Sequence, residues 1–84
     1  MVVLVMKPNH VPILVNGFDS REDAHSLFQG LGFSNFKTQH HGFVMTYRIN
    51  NVIAFLLDQE LADTYSRLTT QQMSKQQFTE QFRA

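Results

Sequence analysis

Phe43-Val44-Met45-Thr46-Tyr47-Arg48-Ile49, then Asn50-Asn51, then Val52-Ile53-Ala54-Phe55-Leu56-Leu57: this stretch decides the fold. Along it Phe43, Met45, Tyr47 and Ile49 alternate with Val44, Thr46, Arg48 and Asn50. A period of two is that of a β-strand, whose successive side chains point to opposite faces. Asn50-Asn51 suits the positive φ angles of a type I′ turn, so residues 52–57 are expected to return antiparallel as a hairpin. The returning segment is apolar on both faces, which predicts a central place in the sheet.

Upstream, Ala24, Leu27, Phe28 and Leu31 fall at i, i+3, i+4 and i+7 and lay one apolar stripe on a helix over residues 20–29. Ser20 and Asp23 have capping-box spacing at its start, and Gly30 and Gly32 end it. Before it, residues 2–6 and 11–15 are short apolar runs parted by the turn-forming Lys7-Pro8-Asn9. Pro12 lacks an N–H, so the second run is expected either to be an edge strand or to leave its proline N–H side unpaired. Residues 33–38 read as a weaker strand, and Gln39-His40-His41-Gly42 as a polar break.

Downstream, Asp58 is placed to cap a helix carrying Leu61, Tyr65 and Leu68. Thr69, with Gln72 three residues on, reads as the start of a last helix bearing Met73, Phe78 and Phe82 on one side and a Gln-rich face on the other. The expected order is β, β, α, β, β, β, α, α: an α+β domain with an antiparallel-rich mixed sheet, one packed helix and C-terminal helices. The expected core is Val11, Ile13, Val15, Ala24, Leu27, Phe28, Leu31, Phe33, Phe43, Met45, Tyr47, Ile53, Phe55 and Leu57.

At 84 residues there is room for one domain. Seven basic residues balance seven acidic ones, so no basic field exists to draw in a phosphate backbone, and nucleic acid is disfavoured as a partner. Without cysteine there is no disulfide framework and no thiolate chemistry. The apolar run at residues 1–6 is too short for a signal core or a membrane span, so a cytoplasmic protein without membrane contact is expected. Gly30-Leu31-Gly32 follows a helix instead of opening one, so it is not a phosphate loop. No His has a Ser or Asp partner that would make a triad. On an extended strand His40 and His41 are expected to point to opposite faces, so they cannot share one ion without a bulge. His25, on the helix, is expected to face solvent.

One resemblance joins these pieces. His10-Val11-Pro12-Ile13-Leu14-Val15, Asp19, Ala24 through Phe28, Leu31-Gly32-Phe33, Gly42-Phe43-Val44 and the hairpin ending Phe55-Leu56-Leu57-Asp58 together resemble one βαβββ module. The family is the vicinal oxygen chelate superfamily of glyoxalase I, the bleomycin- and fosfomycin-resistance proteins and the extradiol dioxygenases. The resemblance covers residues 10–58, leaving 59–84 as a helical C-terminal segment, and is nearest in flavour to the bleomycin-resistance type. In that family two modules close a cup-shaped sheet around the ligand. Only one module fits here, so the resemblance implies completion by a second copy in a two-fold homodimer. Residues 1–6 could supply an edge strand for that pairing.

The resemblance also implies sites. Metal-using members bind a divalent ion with a His early in the first strand and a carboxylate late in the last. His10 and Asp58 stand at those positions, where a turn residue and a helix cap are the structural alternatives. On the long strand Phe43, Met45 and Tyr47, with Arg48 beside them, would line a concave sheet for a small apolar or aromatic ligand. The alternative is that the first three pack under the helix. The leading expectation is a non-catalytic small-molecule-binding or sequestering module that needs no cofactor. Its enzymatic form, a metal-dependent lyase or isomerase of the glyoxalase type, requires His10 and Asp58 to converge. The alternative from another class is a protein-interaction module acting through the Gln-rich C-terminal helix.

Overall fold

The computed structural model describes residues 1–37, 43–68 and 71–83. The described residues form one mixed six-stranded sheet with helices on both faces. In chain order the elements are β1 (Val2–Met6), β2 (Ile13–Asn16), α1 (Arg21–Gly30), β3 (Ser34–Phe36), β4 (Phe43–Ile49), β5 (Val52–Leu57), α2 (Gln59–Ser66), β6 (Gln71–Ser74) and α3 (Lys75–Arg83). The strands lie in the order β3-β4-β5-β1-β2-β6. All neighbours are antiparallel except β2 and β6, which are parallel. The fold is therefore α+β, as the pattern of residues predicts.

Alternation along the strands sorts the core into two layers. Val3, Val5, Ile13, Val15, Tyr47, Ala54 and Leu56 face α1 and α3, where they meet Ala24, Phe28 and Phe78. Leu4, Leu14 and Leu57 face the other way and are covered by Ala62, Leu61 and Tyr65 of α2. A sheet buried on both faces needs strands apolar on both faces, and β1, β2 and β5 are such strands.

The ends of α1 follow from local chemistry. Ser20 Oγ accepts the Asp23 backbone N–H at 3.1 Å, and Asp23 Oδ2 accepts that of Asp19 at 3.1 Å. At the far end Gly32 takes φ +94°, and its N–H donates to the Gln29 carbonyl while that of Phe33 donates to Phe28. That bond pair is a Schellman motif. Its usual hydrophobic contact is the edge-to-face packing of Phe28 and Phe33 at 5.0 Å. Leu31-Gly32-Phe33 is thus explained by helix termination alone.

Several expectations are corrected. Residues 2–6 do not supply an edge: β1 is hydrogen-bonded on both sides, between β5 and β2. The βαβββ segment is consequently not contiguous in the sheet, since β1 separates its first strand from its last. β2 is not an edge either, because Pro12 precedes the strand and β6 pairs alongside, with the Gln71 N–H donating to the Pro12 carbonyl at 3.0 Å. Val11 is 53% exposed, outside the strand it was expected to join. Leu68 is exposed beyond the end of α2.

Gln72 lies in a strand, so the last helix starts later. Ser74 Oγ accepts the Gln77 N–H at 3.1 Å and Gln77 Oε1 accepts the Ser74 N–H at 3.2 Å, a reciprocal capping box. The expected cap Thr69, the polar break at residues 39–42 and the His40-His41 pair lie outside the described residues. The Asn50-Asn51 turn is a two-residue loop between the paired Ile49 and Val52. Only Asn50 has positive φ, at 51°, whereas a type I′ turn needs both residues there.

Candidate functional site

A β-bulge shapes the site. Phe43 pairs with Leu57 and Met45 with Leu56, so Val44 is an extra residue in β4. One inserted residue reverses the alternation on its upstream side. Phe43 therefore does not share a face with Met45 and Tyr47, as the strict alternation predicts. It joins the α2-side cluster and stacks on Phe55 at 5.0 Å. Met45, Tyr47 and Ile49 remain on the α1 side. Arg48 points away from them, is exposed, and donates from Nε to the Asn50 carbonyl at 3.3 Å. The four expected ligand residues are thus divided between the two faces.

Tyr47 packs under α1. It is fully buried, and its ring stacks on Phe28 with centroids 5.0 Å apart and planes 16° from parallel. Its hydroxyl meets Nδ1 of His25 at 3.2 Å. Burial pushes the Tyr47 hydroxyl above its ordinary pKa, with the Arg21 guanidinium pulling weakly the other way. His25 is half-buried instead of facing solvent. The sequence signal was its place three residues before Phe28, on the shoulder of the apolar stripe.

Beside this pair lies a cleft of about 310 Å³ lined by Arg21, Glu22, His25, Ser26 and Met45. Arg21 and His25 are four residues apart on α1, as are Glu22 and Ser26, so two adjacent rows of the helix form one wall. Met45 of β4 contributes the apolar part. Its volume falls at the small end of the range for small-molecule sites. The Phe28–Tyr47 stack fixes α1 against β4, and the first turn of α1 is tied down by the ion pair of Asp23 with Lys75 at the start of α3. Lys75 and the Asp19 N–H hold the Asp23 carboxyl below its usual range.

His10 and Asp58 are not brought together within the chain. Val2 pairs with Leu57 and Met6 with Ile53, so Asp58 lies beyond the first residue of β1 and His10 beyond the last. His10 is exposed in the turn after β1, where the His10 N–H donates to the Lys7 carbonyl at 3.3 Å. Asp58 caps α2, its Oδ1 accepting the Leu61 N–H at 3.0 Å. Among the described residues no group of three or more His, Asp or Glu side chains is placed to hold a metal ion. No helix among the described residues is long and apolar enough to cross a membrane.

Comparison with known proteins finds no matching family model, no matching curated protein and no matching solved structure.

Proposed function

We propose that the chain is a non-catalytic small-molecule-binding module whose ligand seats in the cleft between α1 and β4. The observation that carries this is the cleft itself, where charged and polar side chains stand on one wall and Met45 on the other, over the fixed Tyr47–His25 pair. Sites of this kind combine apolar surface with a few oriented polar groups. The resemblance of residues 10–58 to vicinal oxygen chelate modules supports a binding role. In that reading a second copy closes the open side of the cleft as a homodimer. The lyase or isomerase form needs His10 and Asp58 to converge, and they stand at opposite ends of β1.

The alternative is an interaction module, and its contact surface would be the Gln-rich face of α3. Phe78 and Phe82 of α3 pack on Phe28 and Phe33, with centroids 5.7 and 5.2 Å apart, so the apolar stripe of the last helix is used within the chain. The test is a screen of small aromatic and aliphatic fragments by amide and methyl NMR, with molar mass followed by light scattering. Shifts gathered on Arg21, Glu22, His25, Ser26 and Met45 are expected. Shifts that avoid these residues for every fragment would remove the cleft as a site. A strict monomer at all concentrations would remove the dimer.

A further inference from the structure

The cleft carries two unlike charges side by side, and their chemistry narrows the ligand. Resting on the binding reading above, we propose that the site takes a small zwitterion with an apolar body, of the free amino-acid type. Arg21 and Glu22 both line the cleft and are both exposed. The ion pair present among the described residues joins Lys75 and Asp23 instead, so neither Arg21 nor Glu22 is occupied by a salt bridge there. A purely anionic ligand would meet repulsion from Glu22, and a purely cationic one repulsion from Arg21. A ligand carrying a carboxylate and an ammonium on neighbouring atoms satisfies both. Guanidinium suits the carboxylate because it offers a planar pair of donors.

His25 adds direction. The buried Tyr47 hydroxyl is bonded to His25 Nδ1. If the ring nitrogen were the donor, the hydroxyl proton would be left buried without an acceptor, which is costly. Tyr47 is therefore the donor and Nδ1 the acceptor, which leaves Nε2 to carry the ring proton. That N–H, on the ring edge turned from Tyr47, is a second donor for the ligand carboxylate beside Arg21. Ser26 lies one turn beyond Glu22 and offers a hydroxyl to the ammonium side. Met45, an unbranched and polarisable side chain, takes the apolar body without demanding one shape.

The experiment compares three ligands with one skeleton by NMR titration: L-phenylalanine, phenylpropionate, which lacks the ammonium, and phenethylamine, which lacks the carboxylate. L-phenylalanine is expected to bind about three- to tenfold more tightly than either analogue, the range for a partly exposed charge contact. Arg21→Gln should weaken L-phenylalanine and phenylpropionate and leave phenethylamine unchanged or tighter. Glu22→Gln should weaken L-phenylalanine and phenethylamine and leave phenylpropionate unchanged or tighter. Both side chains are exposed, and amide dispersion checks that each variant is folded. Analogues binding the cleft as tightly as L-phenylalanine, or either variant affecting all three ligands equally, would overturn the zwitterion assignment and leave the cleft standing. Failure of all three ligands, together with every fragment of the screen, to shift His25 or Met45 would overturn both.

Discussion

Replacing Phe28 with Ala should come close to unfolding the protein. The Phe28 side chain is fully buried, and four rings from four parts of the chain surround it. Phe33 and Tyr47 lie at 5.0 Å, Phe78 at 5.7 Å and Phe18 at 6.3 Å. Phe to Ala in a core costs about 3–5 kcal/mol, more where the surroundings cannot collapse into the space. Here the walls belong to the Schellman corner, β4, α3 and the loop before α1, which cannot all move inward together. The upper half of the range, about 4–5 kcal/mol, is therefore expected, against roughly 4–13 kcal/mol for a whole chain of this length. Urea denaturation followed by circular dichroism measures it, with an unchanged slope confirming that the native state is still compact. Phe36→Ala is the control. Phe36 is 51% exposed at the end of the edge strand β3, and its loss should cost less than about 0.5 kcal/mol. Should Phe28→Ala cost under about 1.5 kcal/mol, or no more than Phe36→Ala, the aromatic hub does not hold α1 to the sheet.

Thr46 is 3% exposed and its Oγ1 has no hydrogen-bond partner among the described residues, so Thr46→Val should raise stability by about 1 kcal/mol, read as a higher urea midpoint. Asp23 titrates below its unfolded value, so its contribution is present above about pH 4 and is lost as pH falls through the folded value. Asp23→Asn should flatten that acid limb of a stability–pH curve. Tyr47 titrates above its unfolded value, so its contribution is full below about pH 10 and is lost as pH rises through and beyond it. Tyr47→Phe should remove this part of the alkaline loss, seen in denaturation midpoints between neutral and alkaline pH. Deleting residues 71–84 removes β6 and α3, uncovering Phe28 and the β2 edge, and the truncated chain should show the circular dichroism of an unfolded protein. A cooperatively folding truncation would mean that α3 is an accessory arm after all.

What could be read from the residues was what short-range chemistry determines. The β4–β5 hairpin and α1 were legible because strand alternation, a two-residue turn, Ser20 at one end and Gly32 at the other are local signals. The bulge at Val44 was not, since nothing in Phe43-Val44-Met45 distinguishes an inserted residue from a paired one. β6 was hidden because Gln71-Gln72-Met73-Ser74 has little strand propensity of its own. It is a strand because β2 offers it a free ladder and Met73 a place in the core. The central place of β1 was legible in principle, since Val2-Val3-Leu4-Val5 is apolar on both faces, the same argument that placed β5 correctly. Of the residues that line the candidate cleft, Met45 had been singled out on the strand. Arg21, Glu22, His25 and Ser26 looked like an ordinary solvated helix face, and only the crossing of α1 over β4 joins them to Met45.

The central position of β1 also determines when the chain can fold. Val2 pairs with Leu57 and Met6 with Ile53, and β2, next in sequence, pairs with the far downstream Gln71–Ser74. β1 thus waits for Val52–Leu57 before the middle of the sheet can close, and β2 for Gln71–Ser74 before its outer side is covered. Such long-range pairings must meet their loop-closure cost before contacts offset it, which places the protein among the slower small folders. Until β5 arrives, the β1–β2 hairpin carries two apolar faces and an open edge. In that interval the chain is most exposed to aggregation.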